Sequence, residues 1–137
     1  MMKLLPDTNV LVYDTVEDST PHNQAVKIID SADMLAIPPI VIHEYIWIML
    51  KFSVSLKTIS VKVREYLEDP RTRYLVEQPA AIYEALKMME EDRASPKMVN
   101  DYVILSLALK YDLSLATFDS VLKKRAMARG VNVVPQP

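Results

Sequence analysis

The feature that most limits what this chain can fold into is an alternation of hydrophobic period. Short apolar runs of strand length, at residues 3–6, 34–37, 113–117 and 131–134, are separated by longer segments whose apolar residues recur at helical spacing. Runs without polar alternation suit strands covered on both faces, and strands separated by helices pair in parallel. The pattern predicts an α/β fold with a central, mostly parallel sheet of four to five strands. The helical segments have recognisable ends. Residues 21–33 carry Ala25, Ile28 and Ile29 inward, and Pro39 opens the next helix at its first position. Residues 55–67 repeat helical spacing until Asp69-Pro70 stops them, and residues 74–76 form a weak strand. Pro79 starts a helix to about Asp92 with Ile82, Leu86 and Met89 on its inner face. Ser95-Pro96 opens another, apolar almost all round, that runs to about Tyr111. Residues 119–128 form the last helix, which Gly130 ends.

A chain of 137 residues is the size of one domain, expected to span residues 1–137. Half of it is hydrophobic and a quarter charged, so disorder is excluded. No apolar run approaches the roughly 20 residues needed to span a bilayer, and the N-terminus shows no secretory signal, so no membrane association and a cytoplasmic location are expected. With no cysteine there is no thiolate nucleophile and no thiolate zinc site; a metal would need oxygen ligands or the two histidines. The net charge of −2 provides no general basic footprint for nucleic acid. Two local clusters, Arg71 with Arg73 and Lys123, Lys124, Arg125 with Arg129, suit either phosphate contacts or solvated faces.

Four acids stand out by position. Glu44 lies in IVIHEYIWIML, where its neighbours three and four positions away are Ile40, Val41, Trp47 and Ile48. An exposed stripe shared with Lys51 would account for it, and burial would demand a partner. Asp101, in NDYVILSLALKY, has similarly apolar neighbours and no adjacent Lys or Arg. Asp7 and Asp119 follow strands directly, where helix capping alone would explain an Asp. In an open α/β sheet all four can nonetheless face the carboxyl ends of the strands, where ligands bind. Thr8, Asn9, Asn100 and Thr117 flank them with hydroxyl and amide groups suited to orienting carboxylates. Acids isolated in apolar helices are costly unless a positive group lies between them, and a hard cation such as Mg²⁺ or Mn²⁺ would serve.

LLPDTNVLVYD, the Glu44 helix, NDYVILSLALKYDLSLATFD and the closing strand together resemble a PIN domain, and within that family VapC-type toxins, over essentially the whole chain. The resemblance implies a three-layer α/β/α fold and an acidic quartet of Asp7, Glu44, Asp101 and Asp119, supported by Thr8, Asn9 and Thr117. It further implies Mg²⁺- or Mn²⁺-dependent endonucleolytic cleavage of RNA to 5′-phosphate and 3′-hydroxyl ends, a homodimer, and a VapB-type antitoxin as partner. A stand-alone RNA-processing nuclease and a non-catalytic binding module are the alternatives. The chain departs from the family pattern in having Asp112 where a glycine is frequent and Leu122 where a phenylalanine is, both packing positions. Aspartyl-phosphate phosphatases also begin with an Asp after a first strand, but they need a second Asp where this chain has Asn9. His22 and His43 are expected to be structural, and Trp47, Met88, Met89 and Met98 to serve a core or interface.

Overall fold

The computed structural model describes every residue, Met1–Pro137. The chain alternates as predicted: β1 (Lys3–Pro6), α1 (Thr8–Thr15), α2 (His22–Asp30), β2 (Met34–Ile37), α3 (Pro39–Lys51), α4 (Leu56–Glu68), β3 (Thr72–Tyr74), α5 (Pro79–Asp92), α6 (Val99–Lys110), β4 (Ser114–Ala116), α7 (Ser120–Ala128) and β5 (Val133–Val134). A 3₁₀ turn, Pro96–Met98, precedes α6.

The five strands form one sheet in the order β3-β2-β1-β4-β5, and every pairing is parallel. From central β1 the chain moves outward to β2 and β3, then returns across the sheet to β4 and β5. Since parallel crossovers are right-handed as a rule, steps that run in opposite directions across the sheet assign α1–α4 to one face and α5–α7 to the other, a three-layer sandwich. One cluster of 33 buried apolar residues fills it. No helix is long and apolar enough to cross a membrane.

Order reversal creates a crevice between β1 and β4, at their carboxyl ends. Pro6 is in register with Ala116 there, so Asp7 and Thr117 emerge side by side.

Several elements differ in detail from expectation. The third strand lies at Thr72–Tyr74, two residues earlier than the weak apolar run at 74–76, because Asp69 caps the turn and Arg71 ties it to the carbonyls of Ile29 and Ala32. In α5 the inner face is Ala81, Ala85 and Met88, while Ile82 and Met89 are half-buried and Leu86 is exposed. Small alanines let α5 approach α6 closely, so packing and not side-chain size chose the inner face. Gly130, at φ +83°, ends α7 in the left-handed region as its position after the helix requires. Asp112, at φ 52°, occupies a left-handed turn before β4, a conformation Asp tolerates better than most residues.

Candidate functional site

Asp7 is the centre of a carboxylate cluster over the β1/β4 crevice. Its backbone N–H donates to the Ala116 carbonyl at 2.8 Å, continuing the ladder one residue beyond the strand. Its extended backbone (φ −67°, ψ 158°) makes it the N-cap of α1, with Oδ1 accepting from the Thr8 N–H at 2.8 Å. Oδ2 accepts from the Thr117 hydroxyl at 3.0 Å. Asp7 is only 7% exposed and Thr117 is fully buried. The capping explanation for Asp7 is thus correct but incomplete, since a cap uses one oxygen and leaves no reason to bury the other.

Thr117 also accepts the Asp119 N–H at 3.0 Å, so a single hydroxyl links the two acids. Asp119 caps α7, its Oδ1 accepting from the N–H groups of Val121 and Leu122 at 2.9 and 3.1 Å, and it is exposed.

Glu44 arrives from the other side of the crevice. Its Oε1 accepts from the Thr8 hydroxyl at 3.0 Å and its Oε2 from the Asn100 amide at 3.5 Å, bridging α1 and α6. The adjacent Tyr45 is fully buried, and its hydroxyl meets Thr15 at 2.8 Å, which fixes the rotation of α3 and hence the direction of Glu44. Thr15 and Asp14 in turn bind the Tyr66 hydroxyl, tying α4 into the same arrangement. Glu44 is half-buried, so the exposed-stripe explanation fails; Lys51, its supposed stripe partner, instead lies 4.1 Å over the exposed Trp47 ring.

Asp101, in the first turn of α6, is half-buried and receives no hydrogen bond from the protein. Burial pushes its carboxyl up to about 7, and the charges of Asp7, Asp119 and Glu44 push in the same direction. Burial likewise raises Asp7, to about 6; the Thr8 and Thr117 hydrogen bonds oppose the rise, and Glu44 and Asp119 add to it. Asp7 and Asp101 therefore sense the charge of their acidic neighbours, and none of the four acids takes part in an ion pair. All ligand atoms available here are hard oxygens, the donor set of Mg²⁺ or Mn²⁺. No three carboxylate or imidazole groups converge tightly enough to enclose an ion alone.

The fold thus brings together Asp7, Glu44, Asp101 and Asp119 with Thr8 and Thr117. Asn9 faces solvent and makes no side-chain hydrogen bond to the protein. Asn100, noted in the sequence only as a neighbour of Asp101, reaches Glu44 instead. The basic clusters are partly paired within the protein. Arg71 is bound to Asp69 at 2.9 Å, and Arg125 and Arg129 to Asp92, which leaves Arg73, Lys123 and Lys124 without ion pairs. His22 is structural, its Nδ1 lying 2.8 Å from the Tyr13 carbonyl, whereas His43 is exposed. Met88 is core, and Trp47 belongs to the surface.

A PIN domain family model matches residues 4–127. No curated protein matches the sequence. Among solved structures the chain is similar to VapC20 of Mycobacterium tuberculosis, a Sarcin-Ricin loop cleaving toxin, with TM-score 0.74, 15% identity, and coverage of 94% of this chain and 96% of that one. It is similar to VapBC2 from Rickettsia felis, solved bound to a DNA fragment from its promoter, with TM-score 0.70, 17% identity, and coverage of 96% and 97%. FitAcB from Neisseria gonorrhoeae gives 0.63, 23% identity, and 95% of each chain. Likeness at these identities establishes the shared fold.

Proposed function

Because the chain belongs to the PIN domain family, matched over residues 4–127, we propose that it is a divalent-metal-dependent endoribonuclease and the toxin of a VapBC-type toxin-antitoxin pair. One observation carries the nuclease reading: a buried Asp7 linked through Thr8 to Glu44 and through Thr117 to Asp119, with the Asp101 carboxylate free of any hydrogen bond and no cationic side chain paired to any of the four. Such a cluster is unfavourable unless a cation completes it.

In this reading Asp7 and Asp101 hold the ion. Asp101 has no competing donor, and Asp7 is fixed by two. Glu44, aimed by Thr8 and Asn100, is a further ligand or accepts the proton of the attacking water. Asp119, exposed and partly committed to its cap, takes an outer role through water. A bound Mg²⁺ or Mn²⁺ supplies charge neutralisation at the scissile phosphate and a more acidic water. The side chains supply placement, and the half-buried crevice strengthens every electrostatic interaction within it.

The toxin reading draws support from the toxin and toxin-antitoxin folds the chain resembles, and from an apolar groove between α3 and α4. The groove, about 460 Å³, is lined by Ile46, Leu56, Ile59, Val63 and Leu67, with Trp47, Leu50 and Phe52 exposed on the same two-helix unit. Apolar surface of this kind fits an antitoxin segment, and self-association into a homodimer belongs to the same proposal.

The test is cleavage of a single-stranded RNA with Mg²⁺ or Mn²⁺ and with EDTA, using wild type and Glu44→Gln. Cleavage is expected only in wild type with metal. Cleavage that persists in EDTA, or full activity in Glu44→Gln with an unchanged circular dichroism spectrum, would refute the reading.

A further inference from the structure

Arg125 and Arg129 resemble half of a phosphate-binding patch in the sequence, yet the fold pairs both with Asp92. Of the nine residues of α7 only Leu122 and Ala126 are buried, so apolar packing anchors this helix lightly. Polar ties hold the rest. Arg129 Nη2 donates to Asp92 Oδ1 at 3.0 Å and to Glu91 Oε1 at 3.3 Å. Arg125 Nη1 donates to the Asp92 carbonyl at 3.0 Å and to the Tyr102 hydroxyl oxygen at 3.3 Å, and lies 3.6 Å from Asp92 Oδ2. The Tyr102 hydroxyl donates to Asp92 Oδ2 at 2.7 Å. One carboxylate at the end of α5 therefore fastens α6 and α7 together.

Both of the fastened helices carry an acid of the cluster. Tyr102, fully buried, immediately follows Asp101, and α7 begins at the Asp119 cap. Arg125 is six residues from Asp119, roughly 9 Å along the helix axis at 1.5 Å per residue. A tilt of α7 released at the arginines would be transmitted to Asp119 over less than two turns. Resting on the metal-nuclease reading above, we infer that Asp92, with Arg125, Arg129 and Tyr102, is a positioning cluster that sets Asp101 and Asp119 relative to one another for a shared divalent ion. The two arginines then act on metal affinity, and RNA contact is left to other cations.

Mn²⁺ alone is the probe, titrated calorimetrically into the full chain without RNA at a temperature where each protein is folded. Arg129→Met is expected to weaken Mn²⁺ binding about threefold, less than the roughly tenfold loss that follows removal of a group bonded directly to a metal ligand, because the arginine acts only through the tilt of α7. Arg129→Lys should restore most of the loss, and Tyr102→Phe should weaken binding in the same direction by a smaller factor. Binding of a single-stranded RNA in EDTA, measured against salt, should keep its affinity and slope in all variants. If the arginines touched phosphate, the slope would fall by about 1 and Mn²⁺ affinity would hold, which overturns the inference. A variant that melts lower but binds Mn²⁺ as tightly as wild type also overturns it, because the cluster is then only structural. Should Arg129→Met fail to fold, Tyr102→Phe, which removes one hydroxyl and keeps the ring, decides by its Mn²⁺ affinity. Wild type that binds no Mn²⁺ overturns the metal reading itself, a result separable from the others.

Discussion

Asp101→Asn removes one charge from the cluster at nearly constant shape, and the structure makes it the cleanest such change because Asp101 has no hydrogen bond to lose. Its carboxyl is raised from 3.8 to about 7 in the fold, by burial first and then by its acidic neighbours. Between those values the native state binds more protons than the unfolded state, so stability falls as pH rises through the interval. The destabilisation is absent below about pH 4 and fully present above about pH 7. Unscreened, a rise of roughly three units corresponds to about 4 kcal/mol. Asp101 is only half-buried, and solvent screening reduces this to on the order of 1–2 kcal/mol. For a chain of this size that is about 4 °C in Tm per kcal/mol. In EDTA at pH 8, Asp101→Asn should therefore melt about 4–8 °C above wild type, whereas near pH 4 the two should coincide. Mn²⁺ should reverse the order at pH 8, since wild type gains about 2.7 kcal/mol at a hundredfold excess over Kd and the mutant gains little. Thermal melts of both proteins at two pH values, with EDTA and with Mn²⁺, measure all of this. A mutant that melts below wild type in EDTA at pH 8, a gap that does not change with pH, or an equal Mn²⁺ shift in both would refute the reasoning.

The raised carboxyls of Asp101 and Asp7, at about 7 and about 6, must lose their protons before they can bind metal. Mn²⁺ affinity should accordingly fall by up to about tenfold per pH unit for each proton displaced as pH drops below about 7, and calorimetry from pH 5.5 to 8 would expose a flat profile if the acids were not ligands. Asp119→Ala removes the cap that serves Val121 and Leu122 and should cost about 1 kcal/mol by denaturant titration. Its cleavage rate should fall less than that of Glu44→Gln, and an equal or larger loss would move Asp119 from an outer to a direct role.

The order of elements and the four candidate acids were legible in the sequence, because both depend on local rules. Period two against period 3.6, proline at first helical turns and Gly130 after the last helix need no knowledge of distant residues, and they placed a strand at Met34–Ile37 and a helix from Pro79 to about Asp92, where the structure has them. An acid surrounded by apolar helical neighbours is likewise a local contradiction, and Glu44 and Asp101 were visible through it. Tertiary structure decided what depends on partners far along the chain. The inner face of α5 went to Ala81, Ala85 and Met88 because close approach to α6 outweighed the larger apolar side chains. Asn100 was assigned to Glu44, 56 positions away, and Thr117 to Asp7, 110 positions away, by the meeting of strand ends across the β1/β4 crevice. Arg125 and Arg129 form one basic cluster in the sequence, and the fold pairs both with Asp92. Periodicity reports which face of a helix is apolar; only the packed structure shows whether a charged side chain meets water, a phosphate or another side chain.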